Sequence, residues 1–344
     1  MNQESMPHRT ARYAAGLLVC AGIAAVATQL SAWAPLAHLG IGALTLAIAL
    51  GIVAGNLVPG SLHGYTAPGA GFAQRRLLRL GVALYGLRLT VQQVEAVGAV
   101  AIITDVLVIT SVLALAYWIG TRVLKLDRET SLLVATGSAI CGAAAVMAAE
   151  PVVRAPPHKV AIAVATVTVF GSLAIFVYPL LYPLLGMDPA HFGVYIGSTV
   201  HEVAQVVAAG RAVAPATADE AVIVKLIRVL MLAPFLLILG RIMRRGEAGA
   251  GHSREAVGVP GFVLLFAVAV GVNSLGWVPP VLRGALLQAD GALLAIAMAA
   301  LGWATHARML KQAGLRPLVL GAVMFVFLIG GGYAINRVVA AVLS

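Results

Sequence analysis

The run Gly197-Ser-Thr-Val-His-Glu-Val-Ala-Gln205 sets His201, Glu202 and Gln205 inside an otherwise apolar stretch. At helical spacing His201 and Gln205 share a face, and Ser198 lies three residues before His201 on the same side. Groups this polar do not face lipid, so the run reads as a functional polar site ahead of a buried structural network. His201-Glu202 also begins the zinc-protease pattern, but position 205 is Gln, the second ligand is missing, and no hydrolytic zinc site is expected.

A second run, Gly137-Ser-Ala-Ile-Cys-Gly-Ala-Ala-Ala145, carries small residues where a membrane helix would carry Leu, Ile or Val. Backbone released from helical bonding at membrane depth is tolerated only beside a cavity or inside protein, so a break here marks a solvated site. A tight crossing of small residues explains the run equally well. Ser138, Cys141, Gly142, Ser198 and Thr199 are the ligand-binding candidates of the two runs, beside His201 and Gln205.

The next apolar segment starts at Asp219-Glu220 and carries Lys225 and Arg228 on one face. At the helical rise they lie about 9 and 13 Å inside, too deep for easy snorkelling. Two such cations, with helix N-termini of broken segments nearby, form a seat for a small oxyanion. The competing reading is a closed ion pair with Asp105 or Glu202. Asp105 itself sits about 12 Å into its segment, where a lone carboxylate can carry protons or pair with Arg88. Asp290 and His306 read as solvated span ends, Glu150 as a segment end, and Tyr178-Pro179 with Tyr182-Pro183 as an interfacial belt and helix stop.

The elements that must hold these residues are membrane helices. Of 344 residues 61% are hydrophobic and 10% charged, a balance that excludes a soluble globular chain. Apolar runs give segments at 13–30, 39–58, 77–94, 97–120, 131–150, 158–182, 190–209, 219–242, 258–277, 286–306 and 316–340. The fold class expected is an all-α polytopic membrane protein, one integral domain with nine to eleven spans. The first run is too long for a signal core despite the cleavage-like Ala32-Trp33-Ala34, and reads as an uncleaved span.

The net charge of +10 would suggest nucleic acid in a soluble chain. Here it reflects cytoplasmic loops, and no nucleic-acid partner is expected. Arg9 and Arg12, then Arg75, Arg76 and Arg79, then Arg122, Lys125 and Arg128 alternate with loops poor in basic residues, which puts the N-terminus in the cytoplasm and the C-terminus outside. Arg241, Arg244, Arg245, Arg254, Arg308, Lys311 and Arg316 continue the alternation. Arg154 and Lys159 break it unless 131–150 and 190–209 enter and return; a broken helix that crosses leaves the conflict standing. Cys20 and Cys141 offer neither a disulfide framework nor a thiolate zinc site, and no cofactor or metal is expected.

Gly51 through Pro59 recurs at Gly271 through Pro279, and Gly86 through Gly98 resembles Gly302 through Gly314. Both matches pair segments an odd number apart, as in inverted repeats, with approximate halves 39–150 and 190–340. A third likeness, Gly137 through Ala149 to Gly197 through Ala209, fits no tandem scheme with the first two.

At Leu84-Tyr-Gly-Leu-Arg-Leu89, Gly137-Ser-Ala-Ile-Cys-Gly142, Gly197 through Gln205 and Val224-Lys-Leu-Ile-Arg228 the chain resembles the YeiH-like family of bacterial inner-membrane proteins, often labelled sulfate exporters. The likeness covers about residues 39 to 335. It implies the wider group of cation:proton antiporters and bile-acid-type symporters, an inverted-repeat fold with crossing discontinuous helices, and a homodimer.

The function expected is secondary transport of a small inorganic or sulfonated anion across the bilayer. Lys225 and Arg228 would hold the ligand, and Glu202, His201 or Asp105 would couple it to protons. The alternative is a cation:proton antiporter, with sodium as a coupling ion at Asp105 and Glu202. A membrane-embedded enzyme lacks a second metal ligand and a nucleophile arrangement. No Gly-x4-Gly-Lys-Ser/Thr loop is present for ATP-driven transport.

Overall fold

The computed structural model describes residues 6–32, 42–244, 261–306 and 313–343. Trp33, Ala34, Arg245, Arg254, Arg308 and Lys311, used above, lie outside them. Every regular element among the described residues is helical: α1 (Met6–Ser31), α2 (Ala43–Leu57), α3 (Gly60–Phe72), α4 (Leu78–Tyr85), α5 (Val91–Trp118), α6 (Arg128–Ala139), α7 (Ala143–Val153), α8 (Pro157–Leu185), α9 (Pro189–Thr199), α10 (Val203–Arg211), α11 (Pro215–Leu230), α12 (Leu232–Arg244), α13 (Gly261–Ser274), α14 (Pro280–Ala304) and α15 (Leu315–Leu343). Six helical stretches have the length and hydropathy of a full span: Thr10–Ser31, Val91–Val123, Pro157–Leu185, Pro215–Met243, Pro280–Ala304 and Leu315–Leu343.

The third segment is displaced furthest from its expected place. It begins at Gly60 rather than 77, because α3 runs through a π turn (Ala73–Leu77) into α4. Residues 59–76 lie between two expected segments, yet Gly69 is a packing surface: a Cβ there would lie 2.2 Å from Tyr13 O of α1. Small residues let two backbones meet at that distance. Arg75, Arg76 and Arg79 therefore sit on the exposed face of a helix and not in a loop. Likewise α8 runs on through Pro179 and Pro183 to Leu185, and Tyr178 is buried against Tyr195 instead of joining an interfacial belt.

The chain packs as two compact units, one of Met1–Val91 with Leu264–Ala307 and one of Gln92–Val263 with Arg308–Ser344. In the first, α2 runs parallel to α14: Gly51 meets Ala299 and Gly302, Gly55 meets Trp303, and Asn56 Nδ2 donates to Thr305 O at 2.9 Å. In the same unit α4 runs parallel to α13. Gly86 meets Phe266 and Val270, and Asn273 Nδ2 donates to Leu89 O at 2.8 Å. Gly81 against Leu294, and Arg88 bonded to Asp290 at 2.7 Å, make α4 and α14 antiparallel. It follows that α2 and α13 point in opposite directions while making matching contacts.

The second unit holds two re-entrant hairpins, α6–α7 and α9–α10. Lys159, at the start of α8, is bonded to Asp127 at 2.9 Å and to Glu129, both at the start of α6. Ten residues further, Gly137 packs on Val167, so α6 and α8 run parallel from one face. The return helix α7 ends at Val153, only four residues before α8 begins, and so comes back to that face. The other hairpin repeats the arrangement: Gly193 packs on Thr217 and Glu220, Gly197 on Ala221 and Val224, and Gly210 on Ala218. Thus α9 runs parallel to α11, and α10 returns to its start. Since α8 links the two and is 29 residues long, about 43 Å, the hairpins enter from opposite faces. The segments enter and return, which replaces the crossing discontinuous helices implied by the family resemblance.

Asp127 anchors the first hairpin by accepting from Thr130 N at 2.9 Å and from Lys159. Burial pushes its carboxyl up, but the Thr130 amide, the Lys159 ammonium and the Thr130 hydroxyl outweigh it and bring the pKa from 3.8 to about 2. A depressed carboxylate contributes stability above its unfolded pKa and loses it as pH falls through the folded one. Asp127→Asn is therefore expected to lower stability at pH 7 by only about 0.5–1 kcal/mol, since the site is well exposed. The deficit should shrink as pH falls from 4 toward 2, as read by melting in detergent.

Candidate functional site

The hairpin tips are Ile140-Cys141-Gly142 and Val200-His201-Glu202, and helix α11 brings Lys225 and Arg228 to both. Lys225 Nζ donates to Ile140 O at 2.6 Å and to Val200 O at 2.7 Å. Arg228 Nε donates to Ala139 O at 2.7 Å. These carbonyls end α6 and α9, where the helix dipole is negative and the helical ladder leaves acceptors unmatched. Lys225 thus ties the two tips together, and Arg228 is bonded to the end of α6 alone.

Asp105 of α5 faces the same cluster. Arg228 Nη1 stands 3.8 Å from Asp105 Oδ1, and neither that nitrogen nor either Asp105 oxygen has a hydrogen-bond partner. The expected alternative partner of Asp105, Arg88, is engaged by Asp290 at 2.7 Å. Asp290 is fully buried ten residues into α14, so the solvated span end expected for it is corrected to a buried ion pair.

Glu202 reaches across to the first hairpin. Its Oε1 accepts from Ala143 N at 3.4 Å, the first amide of α7, and Glu202 also forms a capping box at the start of α10, its carboxylate accepting from Gln205 N–H and its own N–H donating to Gln205 Oε1 at 3.0 Å. Gly142 has φ +66° and ψ −135°, and a Cβ there would lie 2.7 Å from Glu202 Cγ. Glycine is needed both for the backbone conformation and for the space. Gly142→Ala is expected to destabilise the fold by about 1–3 kcal/mol and to displace the Glu202 side chain. Melting that matches the wild type would show the tip to be looser than described.

The structure therefore joins Asp105, Cys141, Gly142, Glu202, Lys225 and Arg228 in one cluster with His201 and Gln205. The formal charges of Lys225 and Arg228 balance those of Asp105 and Glu202. Ser138 Oγ, His201 Nδ1 and Gln205 Nε2 are buried without partners. Ser198 and Thr199 are different: Thr199 donates to Tyr195 O, while Ser198 donates to Tyr195 O at 3.1 Å and accepts from Asn336 Nδ2 at 3.0 Å. Their hydroxyls are committed to the end of α9 and to α15, and offer a ligand no free donor. Asn336, an isolated amide near the end of an apolar run, carries no motif that sequence reading could have caught. Among the described residues no three His, Cys, Asp or Glu side chains converge as a metal-ligand set.

The family described as Conserved hypothetical protein 698 matches residues 15–321. The chain belongs to this family, also called UPF0324. A UPF0324 membrane protein of Pseudomonas aeruginosa is 48% identical over 337 residues, covering 95% of this chain and 94% of the relative. The UPF0324 inner membrane protein YeiH of Escherichia coli K12 is 46% identical over 340 residues, covering 98% and 97%. Family membership and the apolar helices make the chain a multi-pass inner-membrane protein. Among solved structures, the sodium proton antiporter MjNhaP1 of Methanocaldococcus jannaschii is similar over 90% of this chain and 97% of its own, at 15% identity and a TM-score of 0.29, too low to carry an argument.

Proposed function

We propose that this UPF0324 chain is a proton-coupled secondary transporter of a small oxyanion or sulfonate, not an enzyme. One observation carries the reading: two hairpins entering from opposite faces meet tip to tip around buried Lys225 and Arg228, beside unbonded groups on Arg228, Gln205 and Ser138. Non-helical backbone at membrane depth marks a substrate path, and unmatched donors suit a ligand rich in acceptors. The unbonded oxygens of Asp105 favour the second reading, a cation:proton antiporter with sodium or a proton at Asp105.

The hairpin arrangement also supports an orientation and a repeat. With both hairpins re-entrant, Arg122, Lys125, Arg128, Arg154 and Lys159 fall on one face, which we assign to the cytoplasm together with the N-terminus. We infer that the repeat halves are 43–185 and 189–343 in permuted order. Under this scheme α2 pairs with α13, α3–α4 with α14, α5 with α15, α6–α7 with α9–α10, and α8 with α11–α12. All three sequence likenesses then fit one inverted scheme. The paired bonds Asn56 to Thr305 and Asn273 to Leu89 support it.

The test is thermal stabilisation of the purified protein by sulfate, sulfite, thiosulfate and methanesulfonate, against sodium and lithium, at two pH values. A ligand at a hundred times its Kd stabilises by about 2.7 kcal/mol. Stabilisation by an oxyanion, weakened in Ser138→Ala, supports the anion reading. Stabilisation by the cations alone, lost in Asp105→Asn, replaces it with the antiporter.

A further inference from the structure

We propose that the Glu202 carboxylate is a tethered stand-in for the transported anion, which enters its seat only when Glu202 takes up a proton. The inference rests on the anion reading above and names the coupling residue. The seat is the N-terminus of α7, an eleven-residue helix whose first amide donates to Glu202 Oε1 at 3.4 Å. Helix N-termini bind small oxyanions through such amides, and a carboxylate placed there makes the same contact.

Three further observations point to this place. Lys225 cannot receive a ligand without giving up Ile140 O or Val200 O, whereas Arg228 holds Ala139 O and keeps an unbonded Nη1. The positive charge of both adds to the field at the α7 terminus. Gln205 Nε2 is fully buried with no partner, and its amide oxygen holds the Glu202 N–H, so an unused donor stands at this tip. Glu202 also keeps partial exposure, as does Ala143, and Ala144 is exposed, whereas Asp105, Lys225 and Arg228 are fully buried. Glu202 is thus the most exposed of these four charged side chains.

The step is an exchange. A proton adds to the Glu202 carboxylate, its charge is removed, the side chain leaves the Ala143 amide, and the anion takes that amide. One proton enters the site per anion. Lys225 of α11 and Cys141 of the facing tip lie in electrostatic reach of Glu202. His201 on its own tip, Arg228 of α11 and Asp105 of α5 complete the titratable and charged groups of the cluster.

The test uses full-length protein and sulfate, with sulfite and thiosulfate as further probes, and measures Kd by thermal shift from pH 5 to 9. In the wild type sulfate affinity should rise up to tenfold per unit of falling pH through the titration of Glu202. Glu202→Gln should bind sulfate at least as tightly as the wild type at its acid limit, without that slope. If Glu202→Gln does not fold, Glu202→Ala should bind at neutral pH without the slope and Glu202→Asp should retain it. A folded Glu202→Gln that keeps the wild-type slope, or loses sulfate at every pH, overturns this inference while leaving the anion reading intact. Failure of every anion to stabilise the wild type and the variants at any pH overturns both.

Discussion

Lys225→Met is expected to loosen both hairpin tips at once and to lower stability by about 2–5 kcal/mol, because two buried carbonyls lose their donor and each unmatched group costs about 1–3 kcal/mol. Methionine preserves the length and apolar stem of lysine, so the change tests the ammonium and not the packing. The bonds at issue run from one nitrogen to Ile140 O and Val200 O, on hairpins 60 residues apart in sequence. Cys141 gives a second readout: buried in the native protein, it should react faster with a maleimide in the variant. A variant that melts with the wild type and keeps Cys141 protected would show that the tips are held by packing alone.

Arg228→Met should be at least as damaging, for a different reason. It strands the Asp105 carboxylate in a buried site, a situation that costs about 3–5 kcal/mol when a buried pair is broken on one side. Asp105→Asn alone should cost less, since Arg228 keeps its bond to Ala139 O at 2.7 Å. The double variant should then recover a large part of the Arg228→Met loss, with a coupling of about 2 kcal/mol or more. Additive losses across the cycle would mean that the 3.8 Å approach of Arg228 to Asp105 contributes nothing measurable.

Much of the site was legible because membrane depth makes polar residues informative. Lys225, Arg228, Asp105 and Glu202 stand out in a chain with 10% charged residues, and the small-residue runs at 137 and 197 locate the breaks. What the sequence could not reveal is how the polar groups divide. Ser198 reads like Ser138, but Asn336, 138 residues away, engages one of them. The glycines of α3 fall between two expected segments because composition cannot distinguish a flexible backbone from a flat surface for another helix. Asp290 reads as a span end because the expected segment begins at 286, whereas α14 starts six residues earlier, at Pro280. The re-entrant course of the hairpins was open on charge grounds; Lys159 bridging to Asp127 and Glu129 decides it.

The discontinuous make-up of the first unit governs how this protein can be made. Its opening part ends at Val91 and its closing part begins at Leu264, so about 170 residues of the other unit are synthesised between them. At 5–20 residues per second that interval lasts roughly ten to thirty seconds. Throughout it, Gly51, Gly55 and Asn56 wait for Gly302, Trp303 and Thr305. Ribosome-bound chains stopped before residue 264 therefore carry a helix face with nothing to close it, and insertion machinery that shelters such a face should retain them longer than full-length chains.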